Sequence, residues 1–338
     1  MIEGRRTTII DVGRRAGVSA KTVSRVFNEE PHVSDALRKR VRAAAEALNY
    51  HPNVMARALV RRRSNLVGLV YENPSPSYVT ELQMGVLHRL RDERFRLVVI
   101  PVVSIVERER EVIGLLRSAA LDGVILAPPA SDNARILGDL AAAGIRCARI
   151  APTRMIDAAP ANMIDDVTAA REIAEYLIAL GHRNIGIIKG DPTHAATEAR
   201  LMGYGQAFHA AGLPLRFDHI EQGLFTRDSG HAAAVRLLHL PDPPSAILAQ
   251  NDEMAVGALI AARERGLRVP EDLSIAGFDD ADVARIAWPA ITTVRQPVFE
   301  MAVTAADMLI AQLDGAAPRM RVDHPHELIG RGSTAARA

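Results

Sequence analysis

The chain is poor in cysteine: Cys147 is the only one in 338 residues. That excludes an intramolecular disulfide framework and fits a reducing compartment, so a cytoplasmic protein is expected. No run approaches the roughly 20 apolar residues of a membrane-spanning helix, and the start, MIEGRRTT, lacks the apolar core of a secretory signal. Catalytic signatures are also missing. There is no Gly-x-Ser-x-Gly elbow, no phosphate loop ending in Gly-Lys-Ser/Thr and no His-Glu-x-x-His pair, so no catalytic residues are assigned and an enzyme is not expected. The stretch Asp323-His324-Pro325-His326-Glu327 does not have the spacing of a standard metal-ligand set, and His182, Asp191 and His194 read as polar loop residues. Neither a metal nor a cofactor is expected. Short repeats and low-complexity segments are absent too.

What is present is a large apolar inventory and an uneven charge. Hydrophobic residues make up 48% and charged residues 24%, enough to build sizeable cores in two or three units. The net charge is only +1, yet residues 1–63 hold 14 Lys/Arg against 6 Asp/Glu, and the remaining 275 hold 27 against 34. A head of net charge +8 on a body of −7 points to a polyanion bound at one end.

The first 50 residues carry helix punctuation. Thr8 and Asp11 have capping-box spacing, and the Gly17 turn ends the first helix. Ser19 can cap a second helix to about Phe27, and Ser34 a third, whose Leu37, Val41, Ala44 and Leu48 share one face. Two short helices joined by a glycine turn, with a third behind them, make a helix-turn-helix. In such a unit the start of the second helix enters the major groove. Ala20 and Lys21 lie there, with Arg25 one turn on; cationic side chains suit guanine O6 and N7, and a small alanine can meet a thymine methyl. Gly13, inside the first helix, is expected to weaken it by roughly 0.5–1 kcal/mol.

His51-Pro52 breaks the pattern, a short helix is possible over 53–60, and Arg61-Arg62-Arg63-Ser64 follows as a cationic linker. Beyond it, strand-like runs at 66–70, 97–102, 124–127, 147–150, 185–188, 246–249 and 274–278 alternate with amphipathic helical stretches, including 80–94, 168–180, 253–265 and 298–313. This predicts an α/β fold: parallel sheets covered by helices, divided into two lobes with a cleft at the strands' carboxyl ends.

The order Thr8-Ile9-Ile10-Asp11-Val12, Ala16-Gly17-Val18-Ser19, Thr22-Val23-Ser24-Arg25-Val26 and Asn28, continued by His32-Val33-Ser34, Leu48-Asn49-Tyr50 and Pro52-Asn53, closely resembles the DNA-binding signature of the lactose-repressor family. The resemblance implies a head that reads double-stranded, near-palindromic operator DNA as a homodimer. Ala20, Lys21 and Arg25 would read bases. Thr8, Ser19, Thr22, Ser24, Asn28, His32, Asn53 and Ala56 would be further DNA contacts, and Leu59 a minor-groove wedge on a hinge helix. An isolated helix of eight residues is marginal in water, which suits a hinge that folds on DNA.

The likeness continues through Gly181-His182-Arg183-Asn184-Ile185-Gly186, Arg200-Leu201-Met202-Gly203-Tyr204, Asn251-Asp252-Glu253-Met254-Ala255, Gly277-Phe278-Asp279-Asp280 and Arg331-Gly332-Ser333-Thr334. It implies a two-lobed, periplasmic-binding-protein-like core that binds a small-molecule effector, most simply a carbohydrate. Arg200, Asn251 and Asp279 would contact it, Phe225 would line the pocket, and Tyr71, Asn73, Ser77 and Tyr78 would form the rim. The implied domains are a head at 1–50, a hinge helix and linker at 51–64, and a core at 65–338. Within the core, the N-lobe takes about 65–165 and 296–323, the C-lobe about 166–295 and 324–334. One departure is Arg149-Ile150-Ala151-Pro152, where many relatives carry an acidic residue after the fourth strand; it points away from the commonest sugar contact. A purine- or nucleoside-sensing repressor is the alternative within the family, and a sugar-binding transport protein the alternative outside it. The latter would need a signal peptide and no basic head.

Overall fold

A computed structural model describes residues 7–27, 30, 31, 33–50, 64–72 and 75–337. The chain separates into two compact units, residues 1–64 and 65–338.

In the first unit, α1 (Ile9–Ala16), α2 (Ala20–Phe27) and α3 (Asp35–Ala47) enclose Val12, Val23, Val26 and Val41, all fully buried. Thr8 and Asp11 form a reciprocal cap: the Asp11 amide donates to Thr8 Oγ1 at 3.4 Å, and the Thr8 amide and hydroxyl donate to Asp11 Oδ2 at 3.0 and 2.6 Å. Gly17 closes α1 with φ +67°. Ser19 Oγ accepts from the Thr22 amide at 3.1 Å and starts α2; Ser34 does the same for Leu37 in α3 at 3.4 Å. The structure revises the reading of Gly13. It is buried, and a β-carbon there would lie 2.8 Å from the Val18 carbonyl oxygen. Tight packing of the turn on α1 therefore opposes the helix propensity that alanine would add.

The second unit is α/β. Its first half runs β1 (Leu66–Tyr71), α4 (Pro76–Leu90), β2 (Arg96–Pro101), α5 (Glu109–Ser118), β3 (Gly123–Leu126), α6 (Ala134–Ala142), β4 (Arg146–Ile150) and β5 (Ala161–Met163). The chain then crosses into α7 (Asp166–Ala179), β6 (Ile185–Lys189), α8 (Ala195–Ala210), β7 (Ile220–Gln222), α9 (Arg227–Leu238), β8 (Ala246–Ala249), α10 (Asp252–Glu264), β9 (Ser274–Ala276) and α11 (Asp282–Ile286). It returns through β10 (Thr293–Arg295), α12 (Val298–Leu313) and β11 (Arg321–Asp323), and ends with β12 (Glu327–Ile329). One six-stranded parallel sheet has the order β11-β5-β4-β3-β1-β2, and a four-stranded parallel sheet has the order β7-β6-β8-β9. β10 and β12 pair antiparallel as a two-stranded ribbon, and the tail rejoins the second sheet where the Ile275 amide donates to the Ser333 carbonyl at 2.8 Å.

The first helix of this unit begins at Pro76, not near residue 80, because Ser75-Pro76 starts it with proline in its first turn, where the missing N–H costs nothing. β1, β3, β4, β6, β8 and β9 are buried for most of their length, which gives parallel strands their continuous apolar runs. Among the described residues no helix is long and apolar enough to cross a membrane.

Candidate functional site

The carboxyl ends of the strands in both sheets face one cleft, the expected ligand position for open α/β sheets. The segment after β1 supplies Tyr78, β4 is followed by Ala151, β8 by Asn251 and β9 by Asp279, while α8 brings Arg200. These side chains, with Asp166, His194, Ala196, Phe225 and Gln296, enclose a waist of about 40 Å³. On one side the waist meets a mouth of about 730 Å³, with which it shares Asp166; on the other, a mouth of about 560 Å³, with which it shares Tyr78, Asp279 and Gln296.

Arg200 is the centre of the waist and is 5% exposed. Its Nε donates to Asp166 Oδ1 at 2.8 Å, its Nη1 donates to the Gln250 carbonyl at 2.5 Å and lies 3.8 Å from Asp279 Oδ1. The guanidinium carbon sits 3.6 Å from the centre of the Phe278 ring. Burial works against its charge, but Asp166 and Asp279 together hold its pKa above the ordinary value. Gln250 is oriented in turn, accepting from the Gly190 amide at 2.7 Å and donating to the Thr197 carbonyl at 2.9 Å.

Asp279 accepts from Gln296 Nε2 at 2.5 Å. Burial pushes its carboxyl up to about 6, against the opposing pull of Arg200 and Gln296. Tyr78 is buried, and burial raises its phenol well above its usual range. Phe225 presents its ring edge-on to His194, with centroids 5.3 Å apart. The space for that ring exists because residue 190 is glycine: a β-carbon there would fall 2.0 Å from Phe225 Cζ. Tyr71 and Ser77 are half-buried; the Tyr71 hydroxyl accepts from Gln83 at 3.2 Å, and Ser77 lines the second mouth.

Asn251 lines the waist, but the fold already holds its amide on both sides. Oδ1 accepts from the Met254 amide at 3.0 Å as the cap of α10, and Nδ2 donates to the Phe225 carbonyl at 2.9 Å. Its first duty is to position Phe225 and α10. Besides Ala151, four waist residues were not among the site residues expected from the sequence: Asp166, His194, Ala196 and Gln296. His194 is buried, and its Nε2 donates to the Glu72 carbonyl at 3.1 Å, joining the segment before α8 to the segment after β1. Burial lowers its pKa, so the ring is neutral with the proton on Nε2. At the departure after β4, Ala151 offers no hydroxyl acceptor. Arg149 is fully buried and turns away, donating to the carbonyls of Ser131, Arg154, Met155, Ile156 and Ala159.

Beside Asp279, Asp280 is a second hub. Its side chain is wholly buried and takes Arg295 Nε at 2.7 Å, Arg285 Nη2 at 3.2 Å and Arg331 Nη2 at 2.5 Å. Those arginines come from α11, β10 and the C-terminal segment.

In the first unit, Lys21 is exposed on the first turn of α2, Ala20, Thr22 and Ser24 are half-exposed, and Ser19 is exposed at the cap. Ser19 Oγ also lies 2.9 Å from Thr22 Oγ1. Arg25 carries an intramolecular partner, Glu30 Oε2 at 3.2 Å. Thr8, expected among the DNA contacts, has its hydroxyl engaged in the α1 cap. Asn28, His32, Asn53, Ala56, Leu59 and Asn73 lie outside the described residues. Among the described residues no group of three or more His, Cys, Asp or Glu could hold a metal ion.

Residues 8–53 match the family described as bacterial regulatory proteins, lacI family, and residues 174–334 match the periplasmic binding protein-like domain. The HTH-type transcriptional regulator DegA of Bacillus subtilis is 37% identical over 88% of this chain and 88% of its own. A transcriptional regulator solved as a CelR–cellobiose complex is 33% identical with a TM-score of 0.73, covering 97% of this chain and all of its own. The lac repressor dimer bound to operator and the anti-inducer ONPF superposes with a TM-score of 0.86 at 29% identity, covering 98% and 100% of the two chains. With a helix-turn-helix unit, a two-sheet effector-domain fold and relatives that match along nearly its whole length, the protein is a transcriptional regulator that belongs to the lacI family.

Proposed function

We propose that the protein is an operator-binding repressor whose hold on DNA is set by a carbohydrate bound at the waist of the cleft. The observation that carries the reading is the buried Arg200, fixed between Asp166 and Asp279 where the strand ends of both sheets converge. Carboxylates accept from sugar hydroxyls, a fixed guanidinium donates to them, and the Phe225 ring offers an apolar face. The relatives support it: one is complexed with cellobiose, and another is bound to operator and an anti-inducer as a dimer.

In this reading the head is residues 1–50, the hinge and linker 51–64 and the sensor 65–338, its lobes divided at 166, 296 and 324. Ala20, Lys21 and Arg25 read base edges of a near-palindromic operator, while Ser19, Thr22 and Ser24 hold phosphates. The protein works as a homodimer, and the effector acts by preferring one arrangement of the lobes over the other. The test is a titration of the full-length protein against DNA upstream of its own gene, by fluorescence anisotropy, across salt concentrations. Binding that weakens steeply with salt, and shifts in either direction with a sugar that stabilises the protein, is expected. No binding at any salt removes the operator reading. A stabilising sugar that leaves DNA affinity unchanged removes the coupling.

A further inference from the structure

The chemistry that can enter the cleft is restricted by charges already committed inside it. At the waist, two carboxylates, Asp166 and Asp279, face one guanidinium, Arg200, whose Nε and Nη1 are both engaged. In the larger mouth, Asp165, Glu198 and Asp323 join Asp166. Arg321 is bound to Asp323 at 2.8 Å, His326 faces Glu172 at 2.9 Å, and Glu198 is matched from outside by Lys189 at 3.6 Å. In the smaller mouth, Glu81, Asp282 and Glu300 join Asp279 and Asp280, and both arginines there, Arg285 and Arg295, are bound to Asp280. Asp280 also holds Arg331. Arg154, exposed at the edge of the larger mouth, is the one lining arginine among the described residues with no carboxylate within salt-bridge distance shown.

A ligand phosphate or carboxylate would therefore lose its hydration and meet Asp166 and Asp279, with no uncommitted buried cation to replace the water. Carboxylates outnumber arginines along both mouths, and a cleft of net negative charge also lowers the local concentration of anionic ligands. Resting on the carbohydrate reading above, we infer that the effector bears no negative charge: the cleft takes uncharged sugars or amino sugars and turns away uronates and sugar phosphates. Asp166 is the residue that sets this specificity, because its pairing with Nε is what keeps Arg200 from answering an anion.

The test uses full-length protein and thermal shift followed by calorimetry, with cellobiose, glucose, galactose and glucosamine against glucuronate, galacturonate and glucose 6-phosphate. The expected result is binding by at least one uncharged or amino sugar, with every acidic sugar weaker by about tenfold or more. An acidic sugar that binds within that margin, or more tightly, overturns the inference and leaves the carbohydrate reading standing. Failure of all seven to bind removes the inference together with the carbohydrate reading. Asp166→Asn, checked for folding by circular dichroism, is expected to narrow the gap between uncharged and acidic sugars by about tenfold. An unchanged gap in a folded variant overturns the role given to Asp166. If that variant does not fold, Asp279→Asn in its place must narrow the gap, and an unchanged gap there counts against the charge argument.

Discussion

The carboxylate of Asp166 and the Nε of Arg200 meet at 2.8 Å, with 8% and 6% of their side chains reaching solvent. Asp166 opens α7 and Arg200 lies on α8, so two neighbouring helices fix the guanidinium by their own packing. Removing one member of a buried pair strands the other. Asp166→Ala is expected to cost about 3–5 kcal/mol in urea unfolding, and Asp166→Asn, which keeps an acceptor, clearly less.

Asp279 makes the sensor's stability depend on pH. Its carboxyl titrates near 6 in the fold, against an ordinary value of 3.8, so the folded state binds the extra proton between those limits. Its contribution is most favourable at the acid end and falls as pH rises from about 4 through about 6, by at most about 3 kcal/mol. Thermal unfolding of the wild type and Asp279→Asn across that range is expected to show the slope in the first and its loss in the second. Parallel curves would contradict the assignment.

Gly190→Ala tests how the aromatic wall is seated. The added methyl must displace the Phe225 ring, and overpacking of this kind costs about 1–3 kcal/mol. Calorimetry with any sugar the wild type binds is expected to show weakened binding, while anisotropy shows operator affinity without sugar unchanged.

On α2, Lys21→Ala is expected to weaken operator binding by about 1–3 kcal/mol. The loss should be larger for the native sequence than for one altered at the contacted base pair. Arg25 must leave Glu30 to reach DNA, and exposed pairs are worth at most about 1 kcal/mol. Glu30→Gln is therefore expected to tighten binding up to about fivefold in the same assay.

The head was legible because its signals are local. Thr8 with Asp11, Gly17, Ser19 and Ser34 mark ends, and Val12, Val23, Val26 and Val41 fall where helical periodicity puts a core. The buried central strands announced themselves as apolar runs, but β5, β7 and β11 are three residues long and show no period. Arg200, Phe225, Tyr78 and Asp279 come together in the waist. Asp166 went unseen because, in Asp165-Asp166, it reads as an ordinary helix start, and its pairing depends on packing across 34 residues of chain. Asn251 lines the waist as expected and carries a second, local role legible in the sequence: an asparagine before Asp252-Glu253 is a helix cap.

The three-arginine grip on Asp280 bears on its neighbour. A residue anchored at once to α11, β10 and the C-terminal segment has no slack, and its left-handed backbone, φ +58°, adjoins Asp279 at φ +113°. A pull on Asp279 cannot be absorbed by a local shift of the loop, since packed, multiply tethered segments move as bodies and not as threads. Asp279 lines the waist, and Asp280 beside it is held by three arginines. If the proposed ligand contact at Asp279 holds, a displacement there is shared, through Asp280 and Arg295, with β10 and the ribbon it forms with β12.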